Sequence, residues 1–395
     1  MLFFGKSEEY KYFFELIGNK ENEDALSEVV SIAAEYGFCG RLWHVFAAWL
    51  MLHDENAYTL SKERKKDANE PLSKLAADDF KILYEYFNTD FEKENPLACT
   101  FEFENYNTKS AHKSGKVASE LAKKLALAKD EIEFKETADS FYEKYGVGIF
   151  GINGAFSLKN SEDMCLKPVG KLSDVHFCDL WGYEIQKKEL IGNTERFLSG
   201  APANNVLLCG DSGTGKSTAV KALLNEYYDD GLRIIEVYKH QFKKLPEIID
   251  KIKFRNYKFI VFMDDLSFED FEIEYKYLKA LIEGGIEPKP DNVLIYATSN
   301  RRHLIKETGS DRADADDRHK SDTVQEKLSL AERFGLTIYY PKPVSEEYKE
   351  IVLCLAKKEG IELSEEELLK KAHIWGMEHG RLSGRIARQF INSLK

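Results

Sequence analysis

One short run constrains the fold more than any other: Gly210, Asp211, Ser212, Gly213, Thr214, Gly215, Lys216 and Ser217, followed by Thr218, stand directly after the apolar segment VLLC. The run fits GxxxxGK[ST], a spacing with physical meaning when a strand precedes it and a helix follows. The glycines let the backbone curl so that successive N–H groups converge on phosphate oxygens, and the positive end of the next helix adds to the attraction. Lys216 then reaches the β- and γ-phosphates. The Ser217 hydroxyl suits Mg2+, a hard cation that prefers oxygen ligands. The alternative, a Gly-rich turn with no ligand, gives no reason for the flanking strand and helix.

Such a loop needs a sheet to hold it. Five short apolar runs fall at residues 206–209, 233–237, 259–263, 293–298 and 336–340, separated by amphipathic stretches. Strands covered on both faces and joined by crossover helices read this way, so an α/β fold with a five-stranded parallel sheet is expected over 172–344. Residues 1–144 read instead as an α-helical domain, with apolar residues at three- and four-residue spacings in 25–36, 42–52, 80–87 and 117–128. The stretch LWHVFAAWLML contains His44 and is about half as long as a membrane-spanning helix, so it reads as a buried helix. Between the two parts, 145–171 is a Gly-rich junction, YGVGIFGINGAFSLK at its start, expected to be a linker or short hairpin. It lacks the strand and helix of a dinucleotide fingerprint.

Composition excludes several classes. Six cysteines are scattered without a CxxC pair, which argues against a zinc site or a disulfide framework. A formal net charge of -12 gives no generic attraction to nucleic acid. The amino terminus MLFFGKSEEYKYFF has neither a long apolar core nor a cleavage site, so a cytoplasmic location with no membrane partner is expected. The densely charged segment 306–322 has no apolar anchors and is expected to be mobile, as a solvated insertion or as a partner loop.

Candidate catalytic groups lie where strands end, because ligands of open α/β sheets sit at the carboxyl ends of strands. The run FIVFMDD ends in Asp264, placed to hold magnesium through water, and Asp265, placed to orient or deprotonate an attacking water. The alternative for Asp265 is a helix cap, and Glu269 is a further candidate. VLIYATSN delivers Asn300, which either holds the attacking water or starts the turn into Arg301. Arg333, in LAERFGL, and Arg385, in LSGRIARQF, are guanidinium groups that can neutralise charge on a transferred phosphoryl group, or else surface ion-pair partners. An arginine supplied by a neighbouring subunit would couple chemistry to assembly.

In this order, GDSGTGKS, FIVFMDD, TSN, ERFG and SGR resemble the AAA+ ATPases. NNVLLCGDSGTGKST, MDDLSFE, TSNRRHLI, KLSLAERFGL and SGRIARQF are similar, more narrowly, to a bacterial family of ATP-binding AAA+ proteins of unknown function. The resemblance covers roughly 172–395. It implies that 210–217 is Walker A, Asp264 and Asp265 are Walker B, Asn300 is sensor 1, Arg333 is the arginine finger and Arg385 is sensor 2. It further implies that Gly182 and Tyr183 lie where adenine is contacted and that 345–395 is a helical lid. The expected activity is hydrolysis of MgATP to ADP in a homo-oligomer, coupled to motion on a protein or nucleic-acid partner. Two alternatives stand beside it: a nucleotide-gated scaffold with little turnover, and a DNA-associated remodeller or loader, which rests on fold analogy alone. Most AAA+ proteins carry glutamate where Asp265 stands, and the shorter side chain implies slower turnover.

Overall fold

The computed structural model describes residues 1–19, 21–64, 70–90, 113–159, 166–169, 174–267, 277–279, 282, 289–300, 332–380 and 382–395. Segment 306–322 and Glu269 lie outside them. The chain divides into two compact units: Met1–Phe156 with Lys167–Leu172 and Phe254–Asn256, and Ser157–Leu166 with Ser173–Lys253 and Tyr257–Lys395.

The first unit is helical: α1 (Tyr10–Gly18), α2 (Glu23–Tyr36), α3 (Leu42–His53), α4 (Ala57–Glu63), α5 (Glu70–Phe87), α6 (Lys113–Leu125), α7 (Glu131–Tyr145) and α8 (Gly148–Ile152). Helix α3 is the LWHVFAAWLML stretch, and every residue from Val45 to Leu52 is buried. A helix apolar on all sides has no face to offer water, so α2, α5, α6 and α8 pack around it. Burial carries two histidines inward with it. His53 lies against the Trp49 ring at 3.7 Å and His44 stacks on Phe87 at 4.2 Å. Desolvation disfavours the charged imidazolium and lowers each pKa to about 4. The extended amino terminus is held by the Asp79 carboxylate, which accepts the N–H groups of Leu2, Phe3 and Phe4.

Arg255 is the buried cation of this unit. Its Nε and Nη2 each lie 2.7 Å from the two carboxylate oxygens of Glu63, Nη1 lies 2.9 Å from Glu55, and Nη2 also donates to Val147 O at 2.7 Å. Burial works against its charge, but Glu63 and Glu55 outweigh it and push the pKa up.

The second unit carries helix α9 (Glu184–Leu198), strand β3 (Val206–Gly210), α10 (Lys216–Tyr227), β4 (Leu232–Glu236), α11 (Leu245–Ile252), β5 (Lys258–Met263), β6 (Val293–Ser299) and β7 (Leu336–Tyr340). The five expected strands form, and the β4–β5, β5–β6, β6–β3 and β3–β7 pairings are parallel. Every residue of β3 and β6 is buried, so both faces of the sheet centre are covered. The count of five is too low. Two more strands, β1 (Ala155–Leu158) and β2 (Leu166–Pro168), extend the sheet to seven in the order β2-β1-β4-β5-β6-β3-β7. They come from the Gly-rich junction, where runs of four and three residues are too short to show an alternation, and pairing with an open edge makes them strands. Helices α12 (Ser345–Lys358), α13 (Glu365–Glu378) and α14 (Gly384–Ser393) close the chain around their own cluster, which includes Val352, Leu355, Ala372 and Phe390. Among the described residues no helix is long and apolar enough to cross a membrane.

Candidate functional site

The register of the sheet sets which strand ends meet. Strand β6 lies between β3 and β5, pairing Leu208 with Thr298 on one side and Met263 with Ala297 on the other. The Gly-rich loop after β3, the acidic pair after β5 and the polar end of β6 therefore reach one place. Together with the segment before α9 and the start of α14 they line a cavity of about 560 Å³, within the range of small-molecule sites. Gly182, Tyr183, Ser212, Gly213, Thr214, Gly215, Lys216, Ser217, Thr218, Asp264, Asp265, Asn300 and Arg385 all line it.

The loop has the backbone its glycines allow. Gly210 has φ +133, and a Cβ there would lie 2.0 Å from Tyr340 O, so no other residue fits against β7. Gly213 has φ +82 and faces Ser383 and Arg385 of the last helix, where the Arg385 N–H donates to Gly213 O at 3.2 Å. Lys216 is 6% exposed. Its Nζ donates to Gly210 O at 2.8 Å, Asp211 O at 2.7 Å and Asn300 Oδ1 at 3.1 Å. All three acceptors are uncharged. Burial lowers its pKa, opposed by the more distant Asp211, Cys209, Asp265 and Asp264.

The acidic pair is held tightly. Asp264 Oδ1 accepts both the Ser217 and the Thr298 hydroxyls, each at 2.5 Å. Asp265 has φ 52, the left-handed region, which costs a non-glycine residue about 1–2 kcal/mol. Its N–H donates to Thr298 Oγ1 at 2.9 Å, and its carboxylate accepts from Asn300 Nδ2 at 2.7 Å. Ser217, Asp264, Asp265, Asn300 and Lys216 thus form one chain of contacts. These residues fit MgATP. An ammonium held by neutral oxygens leaves its charge for phosphate, and the Ser217 oxygen keeps lone pairs for a cation while its proton rests on Asp264.

Arg333 is not brought in. It precedes β7 at the end where Leu336 pairs with Val206, whereas the cavity lies at the other end, where Tyr340 pairs with Gly210. Asp179, Trp181, Lys187 and Arg388 also line the cavity without a sequence expectation, and Thr298 is expected only as part of the polar end of VLIYATSN. Arg388 could have been found, since it stands three residues after Arg385 and shares its side of a helix. Asp179 forms an ion pair with Lys358 of α12, which holds its carboxyl below the usual range. Trp181 lines the cavity and also packs on the apolar cluster of the last three helices. Nothing local in the sequence marks either contact.

Residues 152–395 match the family described as Protein of unknown function (DUF815). No curated protein matches the chain. Solved structures similar to it include two mutants of RuvB from Thermotoga maritima. One is 16% identical, with a TM-score of 0.40, over 56% of this chain and 64% of that chain. The other is 17% identical, with a TM-score of 0.38, over 55% of this chain and 64% of that chain. The chain spans less than two thirds of the length of these structures, and so loose a likeness says nothing of activity.

Proposed function

The chain belongs to the DUF815 family, and we propose that it is a MgATP-binding ATPase of the AAA+ type that couples hydrolysis to movement of its last three helices. One observation carries the reading: the buried Lys216 ammonium, against a glycine-built loop, donates only to uncharged oxygens, those of Gly210, Asp211 and Asn300. A buried charge left that way is costly unless a ligand supplies the counter-charge. The residue roles follow. Lys216, with the N–H groups of 212–218, binds the phosphates. Ser217 and Asp264 hold the magnesium ion, which when bound neutralises phosphate charge. Asp265 orients the attacking water: the water oxygen bonds to the γ-phosphorus, the bond to the ADP oxygen breaks, and a water proton passes toward the carboxylate. Asn300 keeps Asp265 and Lys216 in register. Gly182 and Tyr183 face the base. Arg385 reports on the γ-phosphate from the last helix, so its contacts change when that phosphate leaves.

Arg333 serves a neighbouring copy in this reading, since it stands at the far end of β7 from its own chain's cavity. Mixing Arg333→Ala with Lys216→Ala protein restores activity if the finger acts across an interface; no rescue sinks the homo-oligomer. For the ATPase itself, pure protein takes up labelled ATP with magnesium saturably and releases phosphate. Asp265→Asn lowers kcat by at least about 100-fold while binding stays intact. A second reading, a nucleotide-gated scaffold, draws on the shortness of Asp265 and its direct bond to Asn300. Saturable binding without measurable phosphate release would establish it over the first.

A further inference from the structure

We infer that Thr298 is a positioning residue for phosphoryl transfer: its hydroxyl locks Asp264 and the left-handed backbone of Asp265 into one geometry, so that the two acids act as a pair. The inference rests on the ATPase reading and deepens it. Thr298 is 2% exposed, on the strand between the phosphate-loop strand and the acidic strand. It makes three bonds to three consecutive residues. Its carbonyl accepts the Leu266 N–H at 2.7 Å, its Oγ1 accepts the Asp265 N–H at 2.9 Å, and the same hydroxyl donates to Asp264 Oδ1 at 2.5 Å.

The carbonyl bond ties the chain just after β5 to β6. Both partners of the hydroxyl belong to the acidic pair. Asp265 adopts φ 52, which side chains other than glycine rarely take, and its N–H there points to Thr298 Oγ1. Without that acceptor the N–H loses its protein partner, and the backbone is free to leave the left-handed region, turning the Asp265 carboxylate away from Asn300. Asp264 would at the same time keep one hydroxyl donor, Ser217, instead of two. Phosphate binding is untouched, because Lys216 bonds to Gly210, Asp211 and Asn300 and not to Thr298.

The test uses the full chain and four proteins: wild type, Thr298→Val, Thr298→Ser and Thr298→Ala. Phosphate release is measured against ATP and against Mg2+, and affinity with a fluorescent ATP analogue. Thr298→Val, which keeps the shape and loses the hydroxyl, is expected to lose about 100-fold in kcat, the scale of one general-base contribution. Its analogue affinity stays within about threefold, the scatter expected of a site whose phosphate contacts are intact. It also needs more Mg2+ for half-maximal rate. Thr298→Ser restores most of kcat. If valine is not tolerated by the sheet, the serine and alanine variants differ only in the hydroxyl and give the same comparison. Wild-type kcat in Thr298→Val or Thr298→Ala, or equal losses with serine and alanine, overturns the inference and leaves the ATPase reading standing. Nucleotide uptake by wild type without phosphate release overturns both.

Discussion

Arg255 and Lys216 are both cations buried to within a few per cent of full occlusion, at 8% and 6% exposure, and the protein treats them in opposite ways. Arg255, in the helical unit, is saturated by two carboxylates and a carbonyl; Glu63, its bidentate partner, is itself 1% exposed and also accepts the Val147 N–H at 3.1 Å. Lys216, against the glycine loop, spends its three donors on neutral oxygens. Among the described residues no carboxylate is paired with it at ion-pair distance. A saturated buried charge is part of the scaffold. One that bonds only neutral oxygens beside an open cavity can still accept an anion, which is what the proposed function asks of Lys216.

That contrast fixes the sign of the largest effects. Arg255→Met strands Glu63 in an apolar interior and is expected to lower stability by about 3–5 kcal/mol. Lys216→Met removes a charge that burial disfavours, so denaturant unfolding without nucleotide shows unchanged or higher stability, while the rise in Tm on adding MgATP disappears. A large destabilisation by Lys216→Met, or a preserved ligand shift, would break the contrast.

A smaller effect concerns the histidines of the helical unit. A histidine whose folded pKa lies near 4, below its unfolded value of about 6.5, binds fewer protons folded than unfolded. Its contribution is complete above about pH 6.5 and is lost as pH falls toward 4, by up to about 3 kcal/mol for each ring. The Asp54 carboxyl, raised by burial, offsets part of this. His53→Phe should flatten the acid limb of a stability–pH curve, and an unchanged slope would show that the ring is not held neutral. The smallest effect belongs to a partly exposed pair, Asp179 and Lys358. Lys358→Ala should cost less than about 1 kcal/mol, because water screens what the two charges gain; thermal melts check it.

Much of this site could be read from the chain. Spacing alone singled out the Gly-rich loop, the acidic pair and Asn300, and Ser212 to Thr218, Asp264, Asp265 and Asn300 line one cavity. A loop motif is contiguous, and strand ends announce themselves by a switch from apolar to polar residues. Thr298 was visible only as the polar end of a strand, because its part depends on which strands flank β6 and in what register. Trp181 and Asp179 reach the cavity through contacts with the last three helices, more than 150 residues away in sequence.

The sequence determined the five parallel strands, the apolar helix at the centre of the first unit, and the residue types that can meet a triphosphate, since these rest on local periodicity and on spacings of a few residues. Tertiary structure alone decided the two edge strands, the left-handed Asp265, and the strand order that sets Thr298 beside the acidic pair. The reason is physical. Periodicity encodes which face of an element is buried, whereas strand order and register, chosen by the packing of distant segments, decide which side chains that burial brings together.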